Sequence, residues 1–345
     1  MFARQNRPVC ASIAAALGLA LSFPIMAENL RIGLIGLDTS HCEQFTLRLN
    51  DPANPNHVGG ARVVAAFPAG SPDLPESADR LAGYTALLRD KFGVQIKSGI
   101  PEVCAEVDAV MILSVDGRPH LEQARQVILS GKPFFLDKPV AASLKEAVEI
   151  YQMADAAKVP MFSASAIRWY PGVIEVAAAG DAPALGALSY GPAPILPHHP
   201  DLFFYGIHPA EALFTVMGSG CREVRRATSA ALSVVTGVWQ GGRLGTLHAL
   251  HSQPMGSPHY KLVRFGQKGV TEQKNQGDYT PLLREIVKFF QTRQPPVSPR
   301  ETLEIYAFME AAEESKRLGG QAVSLREVLL KAGSPEKWLP VPAEP

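Results

Sequence analysis

Residues 30–41 read LRIGLIGLDTSH, and this stretch decides the fold class. Residues 30–37 form an apolar run with a sharp end, which is typical of a strand buried on both faces of a parallel sheet. A helix is expected from about Ser40, because Ser40 and Glu43 have the S-x-x-E spacing of a capping box. A buried strand that turns tightly into a helix predicts an α/β fold.

Strand and helix patterns then alternate through the first half of the chain. Further strands are predicted at 61–67, 108–115, 133–136 and 160–164, helices at 119–130 and 143–157, and a Pro/Gly-rich loop at 68–77. This alternation predicts a doubly wound parallel sheet.

The pattern changes after Arg168. Residues 191–201, GPAPILPHHPD, predict an ordered loop. Helices are predicted at 207–217, 280–292 and 300–317, and alternating strands at 230–239, 242–250 and 259–265. We expect a largely antiparallel open sheet in this half, with helices on one face and the first domain against the other.

Composition excludes several classes of protein. The chain has 345 residues, 46% of them hydrophobic and 19% charged, which is enough for two globular domains and shows no sign of disorder. Lys plus Arg and Asp plus Glu both number 33. There is therefore no overall field to attract nucleic acid or an anionic membrane.

The N-terminus predicts export. Arg4 and Arg7 precede a short apolar stretch at 11–23, and Ala27 closes it, so residues 1–27 resemble a cleaved Sec-type signal peptide. We expect a periplasmic or secreted protein with no membrane span after cleavage. An uncleaved anchor is the alternative. The cysteines that remain, Cys42, Cys104 and Cys221, have neither disulfide-framework nor zinc-motif spacing, which leaves buried thiols or one bridged pair.

Several later motifs carry a family resemblance. They are SVDGRPH at 114–120, GKPFFLDKP at 131–139, GIH at 206–208 and AAEESKRLGG at 311–320. Together they resemble the Gfo/Idh/MocA family of oxidoreductases. The resemblance implies a Rossmann-like domain at 28–168, a C-terminal substrate and oligomerisation domain at 169–335, and a tail at 336–345. It also implies an interdomain site that uses NAD or NADP on sugars, cyclitols and related polyols.

The resemblance assigns roles residue by residue. Lys138 matches the lysine of the family's Glu-Lys-Pro motif, with Asp137 in place of the glutamate, and His208 matches the histidine of its Asp-x-Gly-x-His pattern. Lys138 and His208 are therefore the candidate catalytic residues, as acid and base. His120 matches a histidine that opens a helix. The aspartate of the second pattern falls on Phe204, so half of the usual acid–base pair is missing.

The predicted cofactor loop departs from the family's fingerprint. G-x-G-x-x-G becomes GLDTSH at 36–41, so only the first glycine remains. Asp38 places a side chain and a charge where bare backbone would approach a pyrophosphate, and Phe67 ends the second strand where an acidic residue would hold the ribose. NAD or NADP binding is therefore expected to be weakened, and export points the same way. The residues assigned to the cofactor loop are Gly36, Asp38, Ser40 and His41.

Ligands of open parallel sheets bind beyond the carboxyl ends of the strands. The other polar residues expected at this rim, and so assigned to substrate binding, are Asp116, Arg118, His120, Arg168, His199 and Glu211. For Arg168 a salt bridge to Asp137 or Glu175 is the alternative. Trp169 and Tyr170 would either stack on a sugar or pack in the core.

Histidine and carboxylate residues also cluster in the second half. His208 and Glu211 are three residues apart on one helix, and with His198, His199 and Asp201 they form an alternative zinc or manganese site, although no residue is assigned to a metal. One of His248 and His251 is expected to face the interdomain cleft.

The leading hypothesis is an exported enzyme that acts on a sugar, cyclitol or sugar acid, by family an NAD(P)-dependent oxidoreductase. The first alternative is a cofactor-independent, or metal-assisted, lyase, epimerase or glycoside-cleaving enzyme in the same cleft. The second is a non-catalytic carbohydrate-binding protein. The expected partners are a small carbohydrate-like substrate and further copies of the chain, because the second sheet presents an exposed face.

Overall fold

The computed structural model describes Met1, residues 29–180 and residues 182–340. Apart from Met1, the predicted signal peptide lies outside the described residues, and so do the last five residues of the predicted tail.

The first sheet confirms the predicted doubly wound fold. It has six parallel strands in the order β3-β2-β1-β4-β5-β6, with helices on both faces. The strands are β1 (Leu30–Ile35), β2 (Ala61–Phe67), β3 (Gln95–Ile96), β4 (Ala109–Ile112), β5 (Phe134–Leu136) and β6 (Met161–Phe162). The helices are α1 (Ser40–Asn50), α2 (Pro75–Phe92), α3 (Ile100–Glu106), α4 (His120–Leu129) and α5 (Leu144–Ala156).

The cap of α1 differs from the prediction. Thr39, not Ser40, is the N-cap, because Thr39 has an extended backbone with φ −131° and its hydroxyl accepts the amide of His41. Ser40 is already helical, and its side chain is free to face the cavity described below.

The second sheet is mixed and largely antiparallel, as predicted. Its order is β12-β11-β7-β10-β9-β8-β13, and of these pairs only β7 and β10 run parallel. The strands are β7 (Gly186–Pro192), β8 (Cys221–Thr228), β9 (Leu232–Trp239), β10 (Leu244–Leu250), β11 (Lys261–Gly266), β12 (Gly269–Glu272) and β13 (Val323–Ser324). The helices are α6 (Pro171–Ala177), α7 (Ile207–Met217), α8 (Thr280–Thr292), α9 (Pro299–Arg317) and α10 (Leu325–Lys331).

The two halves meet through helices. α7 and α9 cover one face of the second sheet, and α9 also packs against α5 of the first half. Tyr306 of α9 accepts the amide of Val140 at 2.6 Å, which ties the halves together. The expectation that the sheet's other face meets the first domain is therefore wrong. That face stays partly exposed, because alternate residues of β9 such as Val234 point away from the helices.

A helix from the C-terminal part of the chain, α8, also packs against the first sheet. Leu282, Ile286 and Phe289 of α8 pack with Phe162 of β6 in the core of the first sheet. The three cysteines are free and buried, and within the described residues no helix combines the length and apolarity needed to cross a membrane.

Candidate functional site

A cavity of about 340 Å³ lies between the two halves, at the carboxyl ends of the first sheet's strands. The first turn of α1, the loop after β5 and the start of α7 each contribute a protonatable group to its wall, and Glu76 and Arg80 of α2 also line it. The groups from the first three elements are His41, Lys138 and His208.

Lys138 is placed by the end of β5. Its side chain is buried, and its Nζ lies 5.3 Å from the centroid of the Tyr205 ring. Among the described residues no carboxylate forms an ion pair with this ammonium group. A buried cation that faces a cavity without its own counter-ion is suited to hold a substrate oxygen.

His208 is held by Ser165. Its Nδ1 lies 2.6 Å from the Ser165 hydroxyl oxygen, which also accepts the amide of Ile167 at 3.2 Å. In the tautomer in which the hydroxyl donates its proton to Nδ1, Nε2 carries the ring proton and is the donor. Burial, together with the charges of Lys138 and His41, holds the pKa of His208 well below its usual value. His208 is thus a neutral imidazole that donates a hydrogen bond.

His41 forms a buried pair with Asp137. The His41 Nδ1 is hydrogen-bonded to Asp137, whose other oxygen accepts the amide of Lys138 at 2.8 Å. Burial raises the pKa of Asp137, but the His41 charge and hydrogen bond outweigh burial and keep that pKa below its usual value. An ionised carboxylate only accepts, so Nδ1 carries the proton. The His41 ring stacks on Phe45 with centroids 5.0 Å apart, and the edge of Tyr279 lies against it.

Tyrosine rings form much of the remaining wall. Of these, only Tyr170 is named by the sequence analysis, as a residue that would stack on a sugar or pack in the core. The others come from segments far apart in the chain, and no sequence spacing marks them. The wall tyrosines are Tyr170, Tyr205, Tyr260 and Tyr279.

Three of the predicted substrate-binding residues lie outside the cavity wall. Asp116 accepts hydrogen bonds from His199 at 3.0 Å and from Arg118 at 2.8 Å. Arg118 also makes a two-point ion pair with Asp73 at 2.7 and 2.9 Å. Their polar groups bind one another, so the assignment of Asp116, Arg118 and His199 to substrate is corrected to an internal network.

His120 is likewise internal. It is fully buried, with Nδ1 2.8 Å from the carbonyl oxygen of Pro139 and Nε2 3.0 Å from that of Ser114. The histidine that opens α4 therefore joins two loops and does not reach the cavity.

Arg168 and Glu211 form a structural ion pair. Arg168 donates to Glu211 at 2.9 Å and to Glu301 at 2.6 Å, and Glu211 also accepts the amide of Ser165 at 2.6 Å. The partners differ from the predicted Asp137 or Glu175, and neither residue lines the cavity wall. Burial raises the pKa of Glu211 to about 7, despite the opposing effect of Arg168.

The alternative metal site does not assemble. In the described part of the chain, no three His, Cys, Asp or Glu side chains gather as metal ligands. Asp201, for example, binds Arg226 and Lys316 instead. His251 binds Ser233 and the carbonyl of Ala193, and His248 lies on the open face of β10, so neither lines the cavity.

The loop residues do not fit a dinucleotide in its usual pose. In this fold the dinucleotide crosses the carboxyl end of β1, between the loops that follow β2 and β4. Asp38 is fully buried there, and its carboxylate accepts the amide of Val115 at 3.0 Å and the hydroxyl of Ser77 at 2.7 Å. Burial raises the pKa of Asp38. One side chain thus joins the loops after β1, β2 and β4 where a pyrophosphate would lie.

Two further contacts close the same cleft. Phe204 packs with Leu74 and Val115 in a small apolar cluster, which accounts for an aromatic residue at the family's aspartate position. The Arg118–Asp73 ion pair crosses from the loop after β4 to the loop after β2. Gly36, with φ +88°, serves close packing, because a Cβ there would lie 2.4 Å from the Ser114 nitrogen.

A family model matches part of the sequence, and solved structures share the fold. Residues 31–165 match a family model described as oxidoreductase family, NAD-binding Rossmann fold. No curated protein sequence matches the chain.

Solved structures share the fold over most of the chain. An oxidoreductase from Agrobacterium radiobacter in complex with NAD+, L-tartaric acid and magnesium is 16% identical, with a TM-score of 0.68 over 87% of this chain and 100% of that one. A myo-inositol dehydrogenase from Lactobacillus casei, in complex with NAD(H) and myo-inositol, is 14% identical, with a TM-score of 0.66 over 86% and 96%. A myo-inositol 2-dehydrogenase from Lactobacillus plantarum is 16% identical, with a TM-score of 0.66 over 86% and 99%. At these identities the likeness is one of fold.

The matched residues 31–165 span all six strands of the first sheet. Over these residues the first domain matches the Gfo/Idh/MocA family model, which is described as an oxidoreductase family with an NAD-binding Rossmann fold.

Proposed function

We propose that this chain is an exported enzyme that acts on a sugar, cyclitol or sugar acid held in the interdomain cavity. The observation that carries the proposal is the convergence of His41, Lys138 and His208 on one cavity from three separate elements. Protonatable groups that meet in a cleft are the usual equipment of an acid–base site.

The cavity suits a polyhydroxylated ligand. Its volume of about 340 Å³ falls at the small end of ligand pockets, where a monosaccharide or cyclitol belongs. Tyrosine rings offer flat faces for the apolar side of a sugar and hydroxyls for its oxygens. Proteins of the same fold bear names that fit this class, two being myo-inositol dehydrogenases and one a complex with L-tartaric acid.

Two versions of this function differ in whether the enzyme uses a nicotinamide cofactor. The family match favours an NAD(P)-dependent oxidoreductase, whereas Asp38 and Phe204, which fill the dinucleotide cleft, favour the cofactor-independent alternative. Denaturing the purified protein and assaying the supernatant for nicotinamide tests a tightly held cofactor. Adding NAD or NADP and following the melting temperature tests an exchangeable one. We expect neither release nor a shift. Either signal would restore the oxidoreductase version.

A melting-temperature screen tests the substrate class. We expect monosaccharides, cyclitols or sugar acids to raise the melting temperature of the protein, because a ligand that binds the folded state stabilises it. Lys138→Met should abolish turnover of the best ligand, and Lys288→Met, on the exposed side of α8, should not. A library without any stabilising compound would refute the proposal. A ligand that binds and never turns over would indicate the carbohydrate-binding protein instead.

Export is proposed from residues 1–27 alone. When the full chain is expressed in a Gram-negative host, we expect the mature protein in the osmotic-shock fraction or the medium, with Glu28 as its first residue. A membrane-bound protein that begins at Met1 would indicate the uncleaved anchor.

A further inference from the structure

We infer that His41 and Asp137 form a general-base dyad that removes a proton from a substrate carbon next to a carboxylate or carbonyl group. The inference rests on the proposed function, and it names a sugar acid or keto sugar as the substrate class. It gives the altered phosphate loop a catalytic task, since His41 stands at the position of the fingerprint's third glycine.

The geometry of the dyad fixes which nitrogen of the neutral His41 ring is basic. Asp137 is buried and binds Nδ1 of His41, so in the neutral ring the lone pair lies on Nε2. A carboxylate behind an imidazole holds the ring in one tautomer and stabilises the imidazolium that forms when a proton arrives. Phe45 and Tyr279 hold the plane of the ring. The His41 side chain lines the cavity, whereas Asp137 does not.

The other two groups complement a base. Lys138 presents an ammonium group, and His208 presents a neutral Nε2–H. Both are donors, and donors stabilise the oxygen on which negative charge develops when a neighbouring carbon loses its proton. Among the wall residues, which also include Glu76 and Arg80, His41, Lys138 and His208 thus provide one base and two donors, which suits the formation of an enolate.

The step balances without a redox partner. The C–H bond breaks, its proton moves to Nε2 of His41, and its electron pair passes to the carboxylate or carbonyl oxygen held by Lys138 and His208. If a proton returns to the opposite face of the carbon, the product is the epimer. If the C–O bond at the next carbon breaks instead, the electron pair of the enolate forms a C=C bond, and the departing hydroxyl group takes the proton held by His41 and leaves as water. Neither outcome needs a hydride acceptor, which agrees with the filled cleft beside Asp38.

Hydrogen exchange with solvent tests the dyad directly. The wild-type protein in D₂O, given sugar acids or keto sugars that raise its melting temperature, should introduce deuterium at the carbon next to the carboxylate or carbonyl with no nicotinamide present. We expect His41→Gln to slow this exchange by about 100-fold or more while the ligand still raises the melting temperature. His57→Gln is the matched control, because His57 precedes β2, at the amino end of the strand, and its ring Nδ1 lies 2.9 Å from the carbonyl oxygen of Arg48.

Ring nitrogen shifts provide a second readout that needs no substrate. We expect the ¹⁵N spectrum of neutral His41 to show a protonated Nδ1 and a free Nε2, and Asp137→Asn to alter this pattern. The opposite tautomer in the wild type overturns the dyad even if a ligand binds. Exchange that persists in His41→Gln, or bound ligand that shows no exchange, also overturns it and leaves the proposed function standing. If the protein binds no compound of the library, both the dyad and the proposed function are refuted.

Discussion

The hydroxyl oxygen of Ser165 lies 2.6 Å from Nδ1 of His208, so a proton donated by this hydroxyl holds the neutral ring in the tautomer with its own proton on Nε2. The family's pattern has an aspartate near this histidine, whereas here that position is Phe204 and packs elsewhere. Ser165 is therefore a positioning residue for His208.

Ser165→Ala should free the ring of His208 to change its tautomer. The lost hydrogen bond is worth about 1 kcal/mol, so we expect turnover to fall about fivefold with little change in KM. The ¹⁵N shifts of His208 should also move toward a mixture of tautomers, which a purely structural role would not cause. Ser165→Thr keeps the hydroxyl and should retain the wild-type shifts. An unchanged nitrogen spectrum in Ser165→Ala would contradict the assignment.

Asp38 should contribute to stability through the loops it joins. Asp38→Ala leaves the buried amide of Val115 and the hydroxyl of Ser77 without their acceptor, and we expect a loss of about 1–3 kcal/mol in the free energy of unfolding. Asp38→Asn retains an oxygen for Val115 and should lose less. Urea denaturation at pH 7 measures both variants. If Asp38→Ala is as stable as the wild type, the carboxylate does not hold the loops together.

The sequence predicts the parallel sheet well because its strands are buried on both faces. Apolar runs such as 30–37 and 108–115 are long enough to stand out, and residues 32–35 of β1 and all of β4 are buried. By contrast, α2 begins at Pro75 inside a segment that predicts a loop. Its proline occupies the first helical turn, where no amide donor is needed, so the residue that suggests a loop in fact starts a helix.

The site is predicted only where a single residue carries the signal. Lys138 and His208 follow from short motifs, and both line the cavity. The pairing of His41 with Asp137 joins residues 96 positions apart, and no local pattern announces it. Some polar residues at the strand ends give a wrong prediction of substrate binding. Asp116 and Arg118 lie at the expected rim, but they satisfy one another's charge and do not meet a ligand.

Glu211 should make stability depend on pH. Burial raises its pKa from 4.5 to about 7, so the folded state holds this proton more tightly than the unfolded state does. The free energy of unfolding should therefore fall as pH rises from about 4.5 to about 7 and stay level above that range, with a contribution of at most about 3 kcal/mol.

Glu211→Gln should remove this part of the pH dependence. Urea denaturation at pH 5 and pH 8 checks the difference between wild type and variant. Glu175→Gln, at an exposed position, should keep the wild-type slope. If Glu211→Gln shows the same slope as the wild type, Glu211 is ionised throughout the range.

The open face of the second sheet predicts self-association. Val234 pairs with His248 of β10, which in turn pairs with Tyr190 of β7, and these side chains point away from the helices. On the same face Leu244 is 52% exposed and Phe265 is 39% exposed. A contiguous apolar sheet face of this kind is costly to leave in water, and a second copy of the chain offers a matching surface.

Val234→Glu should therefore convert the protein to monomers, because the charge would be buried without a partner at the centre of the contact. Size-exclusion chromatography with light scattering measures the mass of wild type and variant. Lys288→Glu, on the exposed side of α8, introduces the same side chain away from the sheet and should keep the wild-type mass. A wild-type protein that elutes as a monomer at micromolar concentration would contradict self-association through this face.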